Sequence, residues 1–395
     1  MPLAVSLLAL GLGLAAAGAG TPGPSAGQAF RTFPDVGITI VDESVGDVAW
    51  SRDGRWLAFS KRDSLDRYMK IWTVRPEGTA RQCLTCDPPA PAKHCGSATW
   101  HPSGQFVVFS AENEDVRSRK ADLLAEPGIG LNTNLWVMTA DGSRVWPLTR
   151  DETNADDPRG AIHPQFSPDG ARLFWAGPVS RAKVRPGCEW GEWALFLGDF
   201  EIEGGTPTLS NVRSFQPGDQ HGFYESHDWS PDGRFLLFSG QMEPDQPVTG
   251  LDIYEFEVAT GAIRRLTRTL ADWDEHARYS ADGRSIYWMS SRGQGVRFRS
   301  VMGLDWMRDL ESELWVMKRD GSDPRRVTWF NRSGRRDSDW FHQNIFATKR
   351  VFGSDLALSG DGAQAAMTLA YEGRQGQVNS VLVLLDLDRR RPDWQ

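Results

Sequence analysis

Short apolar runs alternate with polar turns along almost the whole chain, and six of the turns share one form. An aromatic or apolar residue closes a run, and Ser-x-Asp-Gly or a near variant follows. The copies are Trp50–Gly54 (WSRDG), Trp100–Gly104 (WHPSG), Phe166–Gly170 (FSPDG), Trp229–Gly233 (WSPDG), Tyr279–Gly283 (YSADG) and Leu358–Gly362 (LSGDG). After each comes a second apolar run: RWLAFS, QFVVFS, ARLFWA, RFLLFS, RSIYWM and AQAAMT. Short runs bounded by Gly-rich turns predict β-strands rather than helices. Their repetition predicts small stacked units, none able to bury its own faces alone.

Each unit continues with two more strands. The third strands read KIWTVRPEG, NLWVMTADG, WALFLGDFEIEGG, DIYEFEVATG and ELWVMKRDG, and the fourth read RQCLT, VWPLT, RRLT and RRVT. Unit six has DLALSG, AAMTLAYE and SVLVLLDL but only RRRPDWQ after them, while GITIVD at Gly37–Asp42 precedes unit one. Pairing Gly37–Asp42 with Ser380–Leu387 closes a ring and removes two open sheet edges. The expectation is an all-β, six-bladed β-propeller of four-stranded antiparallel blades, closed by an N-terminal strand and filling residues 37–395 as a single domain.

The SPDG turn, the LWVM third strand and the RRLT fourth strand resemble the propeller repeats of the TolB-like family across residues 37 to 390. The resemblance implies the ring and is silent on activity, because one propeller scaffold serves binding proteins and enzymes alike. TolB itself carries a small N-terminal α/β domain, for which the segment before Gly37 is short, so its envelope-translocation role is not implied. The Gly-His and Trp-Asp signatures of WD repeats are missing from these units.

Composition sharpens the picture in three places. The 395 residues would by length suggest two or three domains, but a closed ring is one cooperative unit. A net charge of -8 with no long basic run speaks against nucleic acid as a partner. Residues 1–20 read as a signal peptide, with an apolar run from Leu3 to Leu14 and small residues Ala15–Ala19 offering cleavage sites. They lack the usual basic start, are too short for a good membrane span, and have no Cys behind them for a lipid anchor. Residues 21–36 are expected to be a flexible leader, and the mature chain a periplasmic or secreted monomer with no membrane span.

The tight turns occupy one face of the predicted disc. The long insertions fall on the other: Cys86–Cys95, Glu112–Leu131, Gly177–Trp190, Phe215–Phe223, Ser290–Glu311 and Phe330–Gly353. Long loops are costly to order and tend to carry function, so the loop-rich face is the expected binding face. His163, His227 and His276 stand near the starts of innermost strands on that face. The third position before each turn aromatic or Leu holds Asp47, Ser97, His163, Ser226, His276 and Asp355, with Glu225 and Glu275 one position earlier in two units. Imidazoles and carboxylates converging on one axis suit a divalent metal such as zinc, manganese or calcium. The plainer alternative is the polar lining of a water-filled channel.

Cys83, Cys86, Cys95 and Cys188 in an exported chain suggest two disulfides, with three possible connectivities. Cys83, Cys86, His94 and Cys95 are alternatively a zinc set, although adjacent ligands fit one tetrahedral ion poorly; reactive or free thiols are the third alternative. Trp190, Trp193, Trp306 and Trp340 lie in or beside insertions, where an exposed indole can stack on a sugar or anchor a protein partner; the plainer alternative for half of them is to pin the loops down. Arg278, Arg297 and Arg299 are candidates to hold an anion. Gly23–Gly27 (GPSAG) matches a nucleophile elbow by letters alone, without the strand and helix that motif needs. No zincin, Walker or dinucleotide motif is present. Propeller-containing serine peptidases resemble these blades, but there is no room here for their hydrolase domain. Some pectin-fragment lyases use a similar propeller with a His-bound metal, a resemblance that does not extend residue by residue. The leading expectation is a module binding a ligand, carbohydrate or protein through the loop-rich face and channel. The alternative is a metal-dependent carbohydrate lyase or hydrolase at the channel mouth.

Overall fold

The computed structural model describes residues 30–114, 125–153, 159–180, 188–218, 222–301, 305–345, 350–373 and 376–390. The expected signal peptide lies outside them. The described residues form six antiparallel sheets in the order the repeats predict, each led by the strand that ends in the Ser-x-Asp-Gly turn or, in blade two, its His-Pro-Ser-Gly variant. These leading strands are Val45–Trp50, Cys95–Trp100, Ile162–Phe166, Tyr224–Trp229, Asp274–Tyr279 and Val351–Leu358. Each packs on the next, and the sixth returns to the first, which makes them the innermost strands of a six-bladed propeller.

The turn chemistry explains why the repeat is so regular. In blade three Ser167 Oγ donates to Asp169 Oδ1, which also accepts from Ala171 N at 3.0 Å, while Gly170 N donates to Ser167 O. Blades one, four, five and six repeat the pattern with Asp53, Asp232, Asp282 and Asp361. The last residue of all six turns has φ between 67° and 77°, which glycine adopts without strain. Five residues after that glycine sit Phe59, Phe109, Trp175, Phe238, Trp288 and Met367, each at most 3% exposed. Burying a side chain of this size contributes about 1.5–3 kcal/mol, so this one position anchors every blade.

Closure follows the sequence reading. Ile38–Glu43 pairs with Val378–Asp386, in a register placing Ile38 opposite Leu385 and Glu43 opposite Val381. The leader is shorter than expected, because Arg31–Phe33 adds a fifth strand outside Ile38–Glu43. Asp42 on the closing strand is buried and accepts from Lys61 Nζ at 2.5 Å and from Arg81, both from blade one. The insertion between Phe330 and Gly353 holds a helix, Arg336–Ile345, that the strand pattern does not foresee. Asp337 and Asp339 in its first turn complement the helix dipole, and Asp337 pairs with Arg390 at 2.8 Å. No described helix is long and apolar enough to cross a membrane.

Candidate functional site

Every innermost strand breaks register at the same height. Its pairing skips between Val45 and Val48, Gly96 and Thr99, Ile162 and Gln165, Ser226 and Asp228, Glu275 and Arg278, and Gly353 and Asp355. A bulge interrupts the ladder and re-aims a side chain. Ser97, His163 and His276 take φ of 49°, 47° and 54° there, a region that His enters more readily than most side chains.

The result is a cluster drawn from blades three, four and five. Ligand-type atoms of His163, Glu225, His227 and His276 all lie within 4.8 Å of one another. The four residues are 1–6% exposed. His163 Nδ1 stands 2.6 Å from Glu225 Oε1, and His276 Nδ1 lies 3.8 Å from the same oxygen. His227 Nε2 shares a 2.5 Å hydrogen bond with Ser239 Oγ, and Glu275 Oε2 is 3.8 Å from His276 Nε2.

The protonation pattern is uneven. Burial pushes His276 down to about 4 and His227 well below the usual imidazole range. Burial also opposes the charge on His163, but the neighbouring Glu225 carboxylate outweighs it and raises that imidazole. Glu225 is held low, because the pull of His163, His276 and His227 overcomes its burial. Glu275 is pushed well up by burial and by the Glu225 charge beside it.

The other polar residues of the ring have structural tasks. Asp355 Oδ2 accepts from Val48 N at 2.8 Å, Asp47 Oδ2 from Ser97 N at 2.5 Å, and Asp228 Oδ2 from Tyr279 N at 2.9 Å. Each carboxylate thus staples one blade to its neighbour. Ser226 Oγ donates to His163 O at 2.9 Å, so in blade four the residue that joins the cluster is His227. Arg278 donates through Nε to Leu356 O at 2.7 Å. Several buried atoms at this end of the channel still lack a hydrogen-bond partner: Asp47 Oδ1, Ser97 Oγ, His276 Nδ1 and Arg278 Nη1.

Aromatic side chains run outward from the cluster. Trp273 meets His276 edge-on at 5.7 Å, Trp306 lies 6.4 Å from Trp273, and Trp190 lies 5.3 Å from Trp306. Trp190 and Trp306 are half-buried, and Trp190 Nε1 donates to Val301 O. Trp193 and Trp340, expected as exposed ligand platforms, are instead core residues at 3% and 6% exposure. Trp193 packs on Phe223 and Trp340 on Phe33, pinning their insertions down. Arg297 is exposed, and Arg299 is held by Asp309 at 2.7 Å.

Two disulfides were expected and one is found, Cys83–Cys86. Cys95 and Cys188 remain thiols, both buried. Cys95 packs among core residues of blades one and two. The alternative zinc set fails with the disulfide, and His94 Nδ1 is occupied by Met69 N.

A cleft of ≈ 500 Å³ lies elsewhere, lined by Arg234, Phe235, Glu255, Glu257, Arg264 and Arg319 among others. Its charges are paired with one another, Arg264 to Glu255 at 2.7 Å and Arg234 to Glu257 at 2.9 Å. It therefore presents less unspent polar chemistry than the channel.

No protein-family model matches the chain. It is similar to the uncharacterized protein Atu1656 of Agrobacterium fabrum, 31% identical over 191 residues, 47% of this chain and 48% of that protein. It is also similar to Dipeptidyl-peptidase 5 of Porphyromonas gingivalis, 27% identical over 74 residues, 18% of this chain and 11% of the peptidase. The chain thus spans about half of the first relative's length and a small part of the second's. Among solved structures, hydrazine synthase of Kuenenia stuttgartiensis matches with a TM-score of 0.45 at 12% identity, covering 88% of this chain and 78% of that one. The propeller domain of the Trilobed protease from Pyrococcus furiosus matches with a TM-score of 0.41 at 14% identity, covering 86% and 80%. The propeller assignment rests on the six sheets themselves rather than on these values.

Proposed function

We propose that the protein is a ligand-binding propeller of the exported, TolB-like kind, working at the loop-face end of its central channel. One observation carries this reading. Buried polar atoms of Asp47, Ser97, His276 and Arg278 are left there without hydrogen-bond partners, beside a wall of Trp273, Trp306 and Trp190. Leaving such atoms unpaired costs about 1–3 kcal/mol each, and a fold that keeps several together has a guest to receive. The half-buried indoles suit the flat face of a carbohydrate or an aromatic side chain from a protein partner.

The wall supplies its own reporter. Tryptophan fluorescence and the thermal midpoint would be followed against a fixed panel of glucose, gluconate, citrate, phosphate and putrescine. The expected result is a saturable response to at least one compound, weakened at least tenfold by Trp306→Ala and by Arg278→Met. A response indifferent to both substitutions, or none to any compound, overturns the channel as the working site. A metal-dependent reaction on a carbohydrate at the same mouth is the second reading, favoured by the histidine cluster alone.

A further inference from the structure

We propose that His163, Glu225, His227 and His276 bind one divalent first-row transition ion, of the zinc or manganese class, an inference that rests on the channel reading above. The four side chains come from three blades, yet their ligand-type atoms lie within 4.8 Å of one another. The remaining blades turn carboxylates to backbone staples such as Asp355 to Val48 N, whereas blades three, four and five aim ligand-type atoms at one another.

The donor set selects the kind of ion. Three imidazole nitrogens and one carboxylate oxygen suit zinc, manganese, iron or cobalt, whereas calcium and magnesium prefer oxygen throughout. Zinc–nitrogen bonds of about 2.1 Å place tetrahedral ligands about 3.4 Å apart. The 2.6 Å and 3.8 Å contacts of Glu225 Oε1 with His163 and His276 bracket that spacing. Small side-chain rotations about an ion would therefore complete the set.

Two further features belong to a metal site rather than a wet channel. His276 Nδ1 is buried and without a hydrogen-bond partner, and it faces Glu225 Oε1, itself paired with His163 Nδ1, across 3.8 Å. Behind the cluster, Ser239 fixes His227 through a 2.5 Å hydrogen bond. Outer partners of this type set the tautomer and orientation of ligating histidines.

Cobalt(II) is the probe of choice, because its visible absorption reports coordination directly. The full chain would be stripped with a chelator, dialysed, and titrated with cobalt, with zinc added afterwards in competition. One equivalent of cobalt should bind with visible bands, and zinc should displace it. Glu225→Gln and His276→Gln should each weaken uptake at least tenfold, and the His163→Gln/His276→Gln double variant should abolish it. His101→Ala, remote from the cluster on a turn, should bind as the wild type does. Near-ultraviolet circular dichroism identifies any variant that fails to fold, and His227→Asn then takes its place. No uptake by the wild type, or undiminished uptake by the folded double variant, overturns the site. If cobalt is refused while a panel compound still binds through Arg278, the metal proposal alone falls. If cobalt binds and no panel compound does, the channel reading falls and the metal site stands.

Discussion

His163 and Glu225 reach the channel axis from neighbouring blades, and their Nδ1 and Oε1 atoms meet at 2.6 Å in a buried contact. Removing one member of a buried charged pair strands the other, which costs about 3–5 kcal/mol. Glu225→Ala should therefore lower unfolding stability by about that much in chelator-treated protein. His163→Ala added to it should cost less than the sum of the two, with a coupling of about 0.5–3 kcal/mol. Urea unfolding of the wild type, both single variants and the double variant measures the coupling. Strict additivity would mean that the two groups act apart.

Asp47 shows the opposite tendency. Its burial, with the Asp355 charge nearby, raises it to about 6. A raised carboxyl favours the protonated form in the folded chain, so its penalty grows as pH climbs from its ordinary value near 4 through 6 and stays level above. Asp47→Asn keeps an acceptor for Ser97 N and removes the titration. Relative to the wild type it should gain stability between pH 4 and 6, by up to about 3 kcal/mol, and gain nothing further at higher pH. A flat difference across that range in paired urea melts would sink the assignment.

Burial decides between two ion pairs on the closing strand. Asp42 holds Lys61 and Arg81 with its own side chain fully covered, whereas Glu43 meets Arg31 at 3.2 Å with both partners about half exposed. Exposed pairs contribute little after solvent screening and side-chain entropy. Asp42→Ala should accordingly cost about 3 kcal/mol and loosen the ring, while Glu43→Ala should stay within about 0.5 kcal/mol. Hydrogen exchange along Val378–Asp386 would show the difference locally. Equal protection in the two variants would deny the closing role of Asp42.

Much of this architecture is legible in the residues because the repeat unit is a local object. A turn with Ser at its first place, Asp at its third and Gly at its fourth fixes its own hydrogen bonds, and Trp175 or Trp288 falls five residues after the Gly whatever the rest of the chain does. Closure by Ile38–Glu43 is legible for a different reason, since a missing fourth strand at one end and a spare strand at the other leave one economical pairing. The bulges are not legible. Ser97, His163 and His276 take positive φ where their strands break register, and no spacing of letters marks that break. Asp47 and Asp355 likewise read as channel lining although they bind backbone of the next blade. Helix Arg336–Ile345 hides in a charged insertion, where Trp340, Phe341 and Ile345 supply a buried face too short to mark a helical period. Trp193 and Trp340 are misplaced for a related reason, since a loop indole reads alike whether it faces water or pins the loop to the core.

The cysteines offer the sharpest count. With Cys83 joined to Cys86, the denatured and unreduced chain should present two thiols, from Cys95 and Cys188, and four after reduction. In the folded protein Cys95 should react slowly, because burial pushes its thiol up to about 12 and little thiolate forms at neutral pH. The bridge spans three positions in sequence, so it withdraws little freedom from the unfolded chain. Replacing both Cys83 and Cys86 with Ser should therefore cost no more than about 2 kcal/mol, far less than a bridge closing a long loop. Titration with a chromogenic disulfide reagent, before and after denaturation, tests both parts. No thiols in the unreduced chain would mean that Cys95 and Cys188 are bonded after all. Four would mean that the Cys83–Cys86 bridge does not form.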